Sequence, residues 1–194
     1  MLLFSNTKRR ESSQAALFLD RDGVINRDHG YVNSKENFEF LPGIFELALN
    51  ARANGYFCVV VTNQAGIGRG LYTTKQFKTL STWMCEQFQN RGAFIDAIYY
   101  SPFHPTEARG RYLLKESTRK PGAGMFLEAA TELNIDLSKS IMVGDKVSDV
   151  KASVKANIPS NYLLSSSGIN LHQSLKGKVE IVSDLSAIAS GLKW

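Results

Sequence analysis

One stretch near the start of the chain limits the possible folds more than any other. The apolar run 15–19 stops at Asp20 and Asp22, two carboxylates one residue apart, and Gly23 follows. The run predicts a short buried strand, and the glycine predicts a sharp backbone turn directly after it. Carboxylates this close repel each other, so they need a cation, a proton or a bound partner, and Mg²⁺ is a suitable oxygen-liganded ion. A solvated acidic turn with Arg21 as counter-ion is the alternative for this stretch alone.

Further short apolar runs alternate with helical patterns along the rest of the chain. We predict strands over 57–61, 94–100, 140–143, 161–164 and 179–182, and helices over 42–54, 73–90, 123–133, 147–156 and 185–192. Thr73 and Gln76 predict a capping box for the second of these helices, and the glycine-rich segment 65–70 predicts a loop. Strands that alternate with helices favour an α/β fold with a parallel sheet covered on both faces. The length of 194 residues suits a single domain over 15–194, preceded by a flexible lead-in over 1–14.

Composition excludes several classes of protein. The net charge is +5, but the Lys and Arg residues are scattered, so we expect no nucleic-acid partner. No apolar run approaches the length of a membrane span, and the first residues are too short for a signal-peptide core, so we expect no membrane contact and a cytoplasmic location. Cys58 and Cys85 lie in apolar patterns and predict buried thiols without a disulfide framework. A monomer is expected.

Three of the predicted strands end in polar residues. These endings are Asp20-x-Asp22, Thr62-Asn63-Gln64 and Gly144-Asp145. Because the carboxyl ends of parallel strands meet at one edge of a sheet, we expect these side chains to share one crevice, with Lys120 nearby. Carboxylates, a hydroxyl, a lysine and a metal ion suit phosphoryl transfer. The alternative is that each strand merely ends in a polar cap.

Four segments resemble, in order, the four motifs of the haloacid dehalogenase-like phosphatases: Asp20-Arg21-Asp22-Gly23, Thr62-Asn63-Gln64, Arg119-Lys120-Pro121 and Gly144-Asp145-Lys146-x-x-Asp149. Within that family, Asp28-His29-Gly30-Tyr31 and the segment 66–70 are similar to members that release the 7-phosphate of a heptose 1,7-bisphosphate, and the similarity to histidinol-phosphate phosphatases is less close. The resemblance implies a Rossmann-like fold without a large cap domain, a Mg²⁺ cofactor and a small-molecule sugar phosphate as partner.

The resemblance also implies a role for each matched residue. Asp20 is the expected nucleophile, which forms an aspartyl-phosphate, and Asp22 is the general acid and then the base. Thr62 and Lys120 complete the expected catalytic set at the phosphoryl group. Mg²⁺ is expected on Asp20, Asp145 and the backbone carbonyl of Asp22. The expected substrate-binding residues are Asp28, His29, Gly30, Tyr31, Thr62, Asn63, Gln64, Ala65, Arg119 and Lys120.

Three neighbouring residues have open interpretations. Asp149 lies in the first turn of a predicted helix, where a carboxylate suits the helix dipole, so it is either a helix cap or part of the site. Lys146 is either part of the motif or a solvated neighbour. His104, between two prolines, is more typical of a structural loop histidine than of a catalytic one.

The long segment 101–121 departs from the family pattern. The family usually closes this loop with zinc on a Cys-x-His and a Cys-x-Cys pair, whereas the matching positions here are Ser101, Phe103, Glu116 and Thr118. None of these is a thiolate or an imidazole, so we predict no zinc. Packing of Phe103 against Tyr112 is the expected replacement.

Two other classes of protein stay open. A phospho-accepting signalling domain also combines aspartates, a threonine, a lysine and Mg²⁺ on a parallel sheet, but it carries its acceptor on a middle strand. A binding module without catalysis is disfavoured because every motif residue is present. Among enzymes, a phosphatase for histidinol phosphate or another small molecule is the main rival, and a nucleic-acid 3′-phosphatase is disfavoured because no basic and aromatic surface pattern occurs.

Overall fold

The computed structural model describes residues 1–5, 11–165 and 171–191. Its centre is a seven-stranded sheet in the order β1-β4-β3-β2-β5-β6-β7. The strands are β1 (Leu2–Ser5), β2 (Ala16–Leu19), β3 (Phe57–Asn63), β4 (Ala97–Ser101), β5 (Ile141–Gly144), β6 (Ser160–Leu164) and β7 (Glu180–Val182). Neighbouring strands are parallel except for β1, which pairs antiparallel with β4.

Helices cover both faces of this sheet. They are α1 (Ile44–Ala53), α2 (Ala65–Arg69), α3 (Thr74–Gln89), α4 (Gly124–Leu133), α5 (Val147–Lys155) and α6 (Leu185–Gly191). The strand β2 is fully buried, and its alternate side chains point to opposite faces, as the two-residue period of a strand requires. Leu17 and Leu19 join an apolar cluster with α1, α3 and α6, whereas Phe18 joins a second cluster with α4 and α5. The predicted α/β fold is confirmed, and no described segment forms a large cap domain.

The helix starts predicted from the sequence agree with the structure at α3 and differ by two residues at α1. The Thr73 hydroxyl accepts a hydrogen bond from the backbone N–H of Gln76, and the Gln76 side-chain oxygen accepts one from the backbone N–H of Thr73. The predicted capping box of α3 is therefore present. The helix α1 begins two residues after Pro42, not at it. The predicted closing helix is described as far as Gly191, and its last predicted residue lies outside the described part of the chain.

Two local predictions were wrong. The segment Leu2–Ser5, predicted as part of a flexible lead-in over 1–14, forms the edge strand β1. Its pairing uses the free backbone edge of β4, which the local sequence does not reveal. The glycine-rich segment 65–70, predicted as a loop, contains the short helix α2, which buries Ile67. Residues 6–10 lie outside the described part.

The parallel arrangement determines which loops meet. The carboxyl ends of β2, β3 and β5 lie side by side at one edge, because these three strands are adjacent. The segments that follow them therefore converge on a single cleft. No described helix is long and apolar enough to span a membrane.

Candidate active site

The cleft at the carboxyl edge of the sheet has a volume of about 670 Å³. All four predicted catalytic residues line it: Asp20, Asp22, Thr62 and Lys120. The predicted substrate-binding residues that also line it are Asp28, Gly30, Tyr31, Asn63, Ala65 and Arg119. His29 and Gln64 are absent from the described lining. The exposed His29 ring instead lies 3.6 Å from Glu39.

A buried ammonium group joins two carboxylates at the bottom of the cleft. Lys120 is 2 % exposed, and its Nζ lies 2.9 Å from Oδ2 of Asp20 and 2.7 Å from Oδ1 of Asp149. Its third donor bonds the Val61 carbonyl at 2.9 Å. Burial opposes the charge of Lys120, but the two carboxylates outweigh burial and raise its pKa. Lys120 is therefore held as a cation by two ion pairs and one hydrogen bond.

Three carboxylates cluster beside this lysine. Oxygens of Asp20, Asp145 and Asp149 lie within 4.8 Å of one another. Burial raises the pKa of Asp20 to about 7, with Asp149 and Asp145 adding to the rise and Lys120 opposing it. Burial likewise raises the pKa of Asp145 to about 6. Three carboxylates leave an excess of negative charge here, since Lys120 is the only fully buried cation of the described residues beside them and Lys146, 3.4 Å from Asp145, is exposed.

The donor set at this cluster suits a divalent cation. The buried Oδ1 of Asp145 has no hydrogen-bond partner among the described residues. Gly23 makes room for Asp145, since a Cβ at Gly23 would lie 2.2 Å from Oδ2 of Asp145, and its φ of +92° also favours glycine. Carboxylate oxygens and an unpartnered buried oxygen are the ligands expected for Mg²⁺. Asp149 thus joins two of the three residues predicted as metal ligands.

Asp22 is oriented by three neighbouring side chains. Arg21, which is 1 % exposed, donates from Nη2 to both carboxylate oxygens at 2.7 and 2.8 Å. Asn26 donates to Oδ1 at 3.1 Å, and Gln64 donates to Oδ2 at 3.0 Å. Arg21 also donates to the Val32 carbonyl at 2.7 Å, which connects the segment that follows residues 28–31 to the end of β2.

Thr62, Asn63 and Gln64, at the end of β3, make three different sets of contacts. Thr62 lines the cleft, and its hydroxyl accepts a hydrogen bond from Gln64 at 2.9 Å. The Asn63 amide exchanges two hydrogen bonds of 3.0 Å with the backbone of Lys120, which fixes the position of the lysine. The described side chain of Gln64 contacts Asp22, Thr62 and Tyr72 and is 1 % exposed.

The outer wall of the cleft is built from charged residues that are exposed or half-buried. Asp28 and Lys146 form an ion pair with 3.0 Å between Oδ2 and Nζ. Arg69, at the end of α2, hydrogen-bonds the Tyr31 hydroxyl and pairs with Glu107. Arg119 and these groups surround an opening of the size and polarity suited to a phosphorylated small molecule.

Comparison with known proteins identifies the family. A family model described as HAD-hydrolase-like matches residues 117–188. The D-glycero-alpha-D-manno-heptose-1,7-bisphosphate 7-phosphatase of Burkholderia mallei is 52 % identical over 149 residues, which cover 77 % of this chain and 79 % of that protein. The chain belongs to the heptose bisphosphate phosphatase family. The corresponding beta-anomer enzyme of Pasteurella multocida is 43 % identical over 92 % of this chain and 98 % of its own length.

Solved structures agree with this membership. The D,D-heptose 1,7-bisphosphate phosphatase of B. bronchiseptica, crystallised with magnesium and phosphate, has a TM-score of 0.77 and 26 % identity. The match covers 92 % of this chain and 97 % of that one. The HAD-like phosphatase resemblance predicted from four motifs is therefore confirmed.

Some residues of this heptose bisphosphate phosphatase family member were missed or left open by the sequence. The cleft is also lined by Gly66, Arg69, Tyr72, His104, Lys146, Ser148 and Asp149. Asp149 is both a helix cap and part of the acidic cluster, because its Oδ2 accepts the Lys146 amide at 2.9 Å while Oδ1 pairs with Lys120. The two interpretations of Asp149 were not exclusive. Tyr72 gave no local signal.

The loop that departs from the family pattern is closed by side-chain contacts. Thr118 donates a hydrogen bond to Ser101 with 3.5 Å between their hydroxyl oxygens, so two of the positions matched to zinc ligands do meet. The rings of Phe103 and Tyr112 pack edge to face with centroids 5.9 Å apart. Nδ1 of His104 accepts the Glu107 amide at 3.0 Å, as expected of a structural loop histidine.

Proposed function

We propose that this chain is a Mg²⁺-dependent phosphatase that releases the 7-phosphate of D-glycero-D-manno-heptose 1,7-bisphosphate. The observation that carries the proposal is the buried Asp20, which is paired with Lys120 and lies in the same cleft as Asp22. The names and the 39 to 52 % identity of the curated relatives support the choice of substrate. The phosphate and magnesium in the B. bronchiseptica structure support the choice of reaction.

Mg²⁺ would be held by Asp20, Asp145 and Asp149, with the Asp22 carbonyl as a further expected ligand. When bound, the ion supplies positive charge that offsets the carboxylates and the phosphoryl oxygens. Lys120 neutralises a further part of the same charge, since its ammonium group is fixed beside Asp20. Asp20 is thereby kept ionised despite its burial, as a nucleophile must be.

The residues of the chain divide the reaction into two displacements. In the first, a carboxylate oxygen of Asp20 bonds to phosphorus as the ester P–O bond breaks, and Asp22 gives its proton to the departing sugar oxygen. In the second, Asp22 takes a proton from water, the water oxygen bonds to phosphorus, and the bond to Asp20 breaks. Inorganic phosphate leaves, and both aspartates return to their starting states.

The outer wall is the proposed recognition surface. Arg119 lies in the cleft with its Nη1 3.0 Å from the Phe103 carbonyl, and its remaining donors suit the second phosphate of a bisphosphate. Asp28, Gly30 and Tyr31 face the same opening and suit the sugar hydroxyls. His29 was expected here too, but its contact is with Glu39.

We also propose that the loop over 101–121 needs no zinc. The four positions matched to the family's zinc ligands carry hydroxyl, aromatic and carboxylate groups, which are poor ligands for a soft tetrahedral site. The pairs Thr118–Ser101, Phe103–Tyr112 and Arg69–Glu107 replace it. The enzyme is also proposed to be cytoplasmic, because a charged sugar bisphosphate does not cross membranes and the enzyme is expected where its substrate is made. It is proposed to be a monomer, and light scattering tests that oligomeric state.

Phosphate release with Mg²⁺ tests the proposed function. The alpha and beta anomers of heptose 1,7-bisphosphate are compared with histidinol phosphate, and Asp20→Asn serves as the blank. We expect a preference for one heptose anomer of about 100-fold over histidinol phosphate, or about 2.7 kcal/mol at the transition state. A preference for histidinol phosphate would overturn the substrate, and stable phosphorylation without turnover would favour a signalling domain.

A further inference from the structure

Gln64 lies between two residues that determine its orientation. Its side chain is 1 % exposed and spans from Asp22 to Tyr72, with Nε2 3.0 Å from Oδ2 of Asp22 and Oε1 2.5 Å from the Tyr72 hydroxyl. Nε2 also lies 2.9 Å from the Thr62 hydroxyl oxygen. A buried side chain with these contacts has no free group for a substrate.

The direction of each hydrogen bond follows from chemistry. When it is ionised, Asp22 only accepts hydrogen bonds, so the group of Gln64 that faces it is the NH₂. The carbonyl oxygen of the amide then faces Tyr72, whose hydroxyl must donate to it. Burial raises the pKa of Tyr72 to about 12, so its hydroxyl keeps the proton that it donates. Tyr72 thus selects the amide orientation in which Gln64 can donate to Asp22.

The fold holds Tyr72 in place for this contact. The Tyr72 ring is 5 % exposed and packs against Gly66 in α2, where a Cβ would lie 2.2 Å from a ring carbon. Any other residue at position 66 would displace the ring. Gly66 therefore leaves the space that the Tyr72 ring occupies, and Tyr72 in turn contacts Asp22 through Gln64.

We propose that Tyr72 and Gln64 are a coupled pair of positioning residues for Asp22, and that they act on its proton transfers and not on substrate binding. This inference rests on the proposed function, because it assigns the pair to the general acid of that reaction. The carboxyl of Asp22 must reach the departing sugar oxygen in the first displacement. Without the donor from Gln64, Asp22 loses one of the three side chains that fix its orientation.

Two substrates with different leaving groups can distinguish this positioning role from a merely structural one. A sugar alkoxide is a poor leaving group and requires the proton of Asp22, whereas 4-nitrophenolate leaves without protonation. The burst of 4-nitrophenol in pre-steady-state kinetics reports only the transfer of the phosphoryl group to Asp20. Damage to positioning of Asp22 should therefore slow turnover of the sugar phosphate and spare that burst.

The variants are Tyr72→Phe, Gln64→Met and the double variant, each measured with heptose bisphosphate and with 4-nitrophenyl phosphate. Tyr72→Phe keeps the ring against Gly66 and removes only the hydroxyl. The matched control is Tyr99→Phe, which removes a hydroxyl that donates to Glu132 at 2.7 Å from a buried ring outside the cleft lining. Thermal unfolding of all four variants checks that they fold.

We expect Tyr72→Phe and Gln64→Met each to lower kcat for the sugar phosphate about 10- to 100-fold, with KM within about twofold and the burst rate within about threefold. The double variant should be no slower than Gln64→Met, because the two residues act through one hydrogen-bonded unit. The control should retain the activity of the natural chain.

A burst rate on 4-nitrophenyl phosphate that falls as far as kcat on the sugar phosphate, additive losses in the double variant, or a loss confined to KM would each overturn the inference. If one single variant does not fold, the other still carries the comparison between the two esters. A natural chain that hydrolyses neither ester would overturn the proposed function instead. The activity of the natural chain is therefore measured before any variant is compared.

Discussion

The two sides of the cleft differ in how their side chains are held. On the inner side, Asp20, Lys120 and Asp149 are at most 5 % exposed and form direct ion pairs. On the outer side, Lys146 and Glu107 are 54 and 55 % exposed and pair with Asp28 and Arg69. Buried charges must be matched, whereas exposed pairs contribute little to stability and can be exchanged. The inner side is therefore suited to fixed chemistry, and the outer side to a choice of substrate.

The largest expected contrast is in turnover. Asp20→Asn should lower kcat by more than about 10⁴-fold, because an amide cannot act as the nucleophile. Arg119→Ala should act mainly on KM, by about 10- to 100-fold, since it removes the proposed ligand of the distal phosphate. Steady-state kinetics with heptose bisphosphate measure both. An equal fall of kcat in both variants would remove the functional distinction between the two sides.

Removal of divalent metal should lower activity through the acidic cluster on the inner side of the cleft. Chelation is expected to lower kcat at least about 100-fold, because metal ions contribute several kcal/mol to such transition states. Mg²⁺ should restore activity, and the thermal midpoint should not respond to a zinc-selective chelator. Elemental analysis gives the independent check, and stoichiometric zinc in the purified chain would contradict the proposed closure of the loop.

Stability should depend on the buried lysine far more than on an exposed one. Lys120→Met leaves Asp20 and Asp149 without their shared cation, and the free energy of unfolding should fall by about 3–5 kcal/mol. Lys146→Met, the matched variant on the outer side, should cost less than about 1 kcal/mol. Urea unfolding without Mg²⁺ measures both. Similar values for the two lysines would contradict the comparison.

The smallest effect is expected in the loop. Glu107→Gln removes the charge that pairs with Arg69, and the stability should change by less than about 1 kcal/mol because the pair is exposed. KM should rise by about two- to threefold, since Arg69 also contacts Tyr31 at the cleft. A large loss of kcat would show that this loop takes part in the chemistry.

Much of the inner side could be predicted from the sequence. Apolar runs that end in Asp20, Thr62 and Asp145 indicate strand ends, and the parallel sheet then requires those residues to meet. The double role of Asp149 was less accessible, because a carboxylate in the first turn of a helix looks the same whether or not it also contacts Lys120. Only the approach of α5 to the segment that carries Lys120 reveals the second contact.

The sequence by itself determined the α/β fold and the polar residues at the strand ends, because these follow from hydrophobic period and chain order, and the resemblance to a known family identified the motifs. Tertiary structure decided the tasks of residues whose partners are distant in the chain. Gln64 was expected to bind substrate, yet Tyr72 and Asp22 occupy its amide. The same holds for Leu2–Ser5, which local composition predicted as flexible and which the free edge of β4 orders as a strand. A local pattern records which groups a residue offers, but only the packed chain decides which groups it meets.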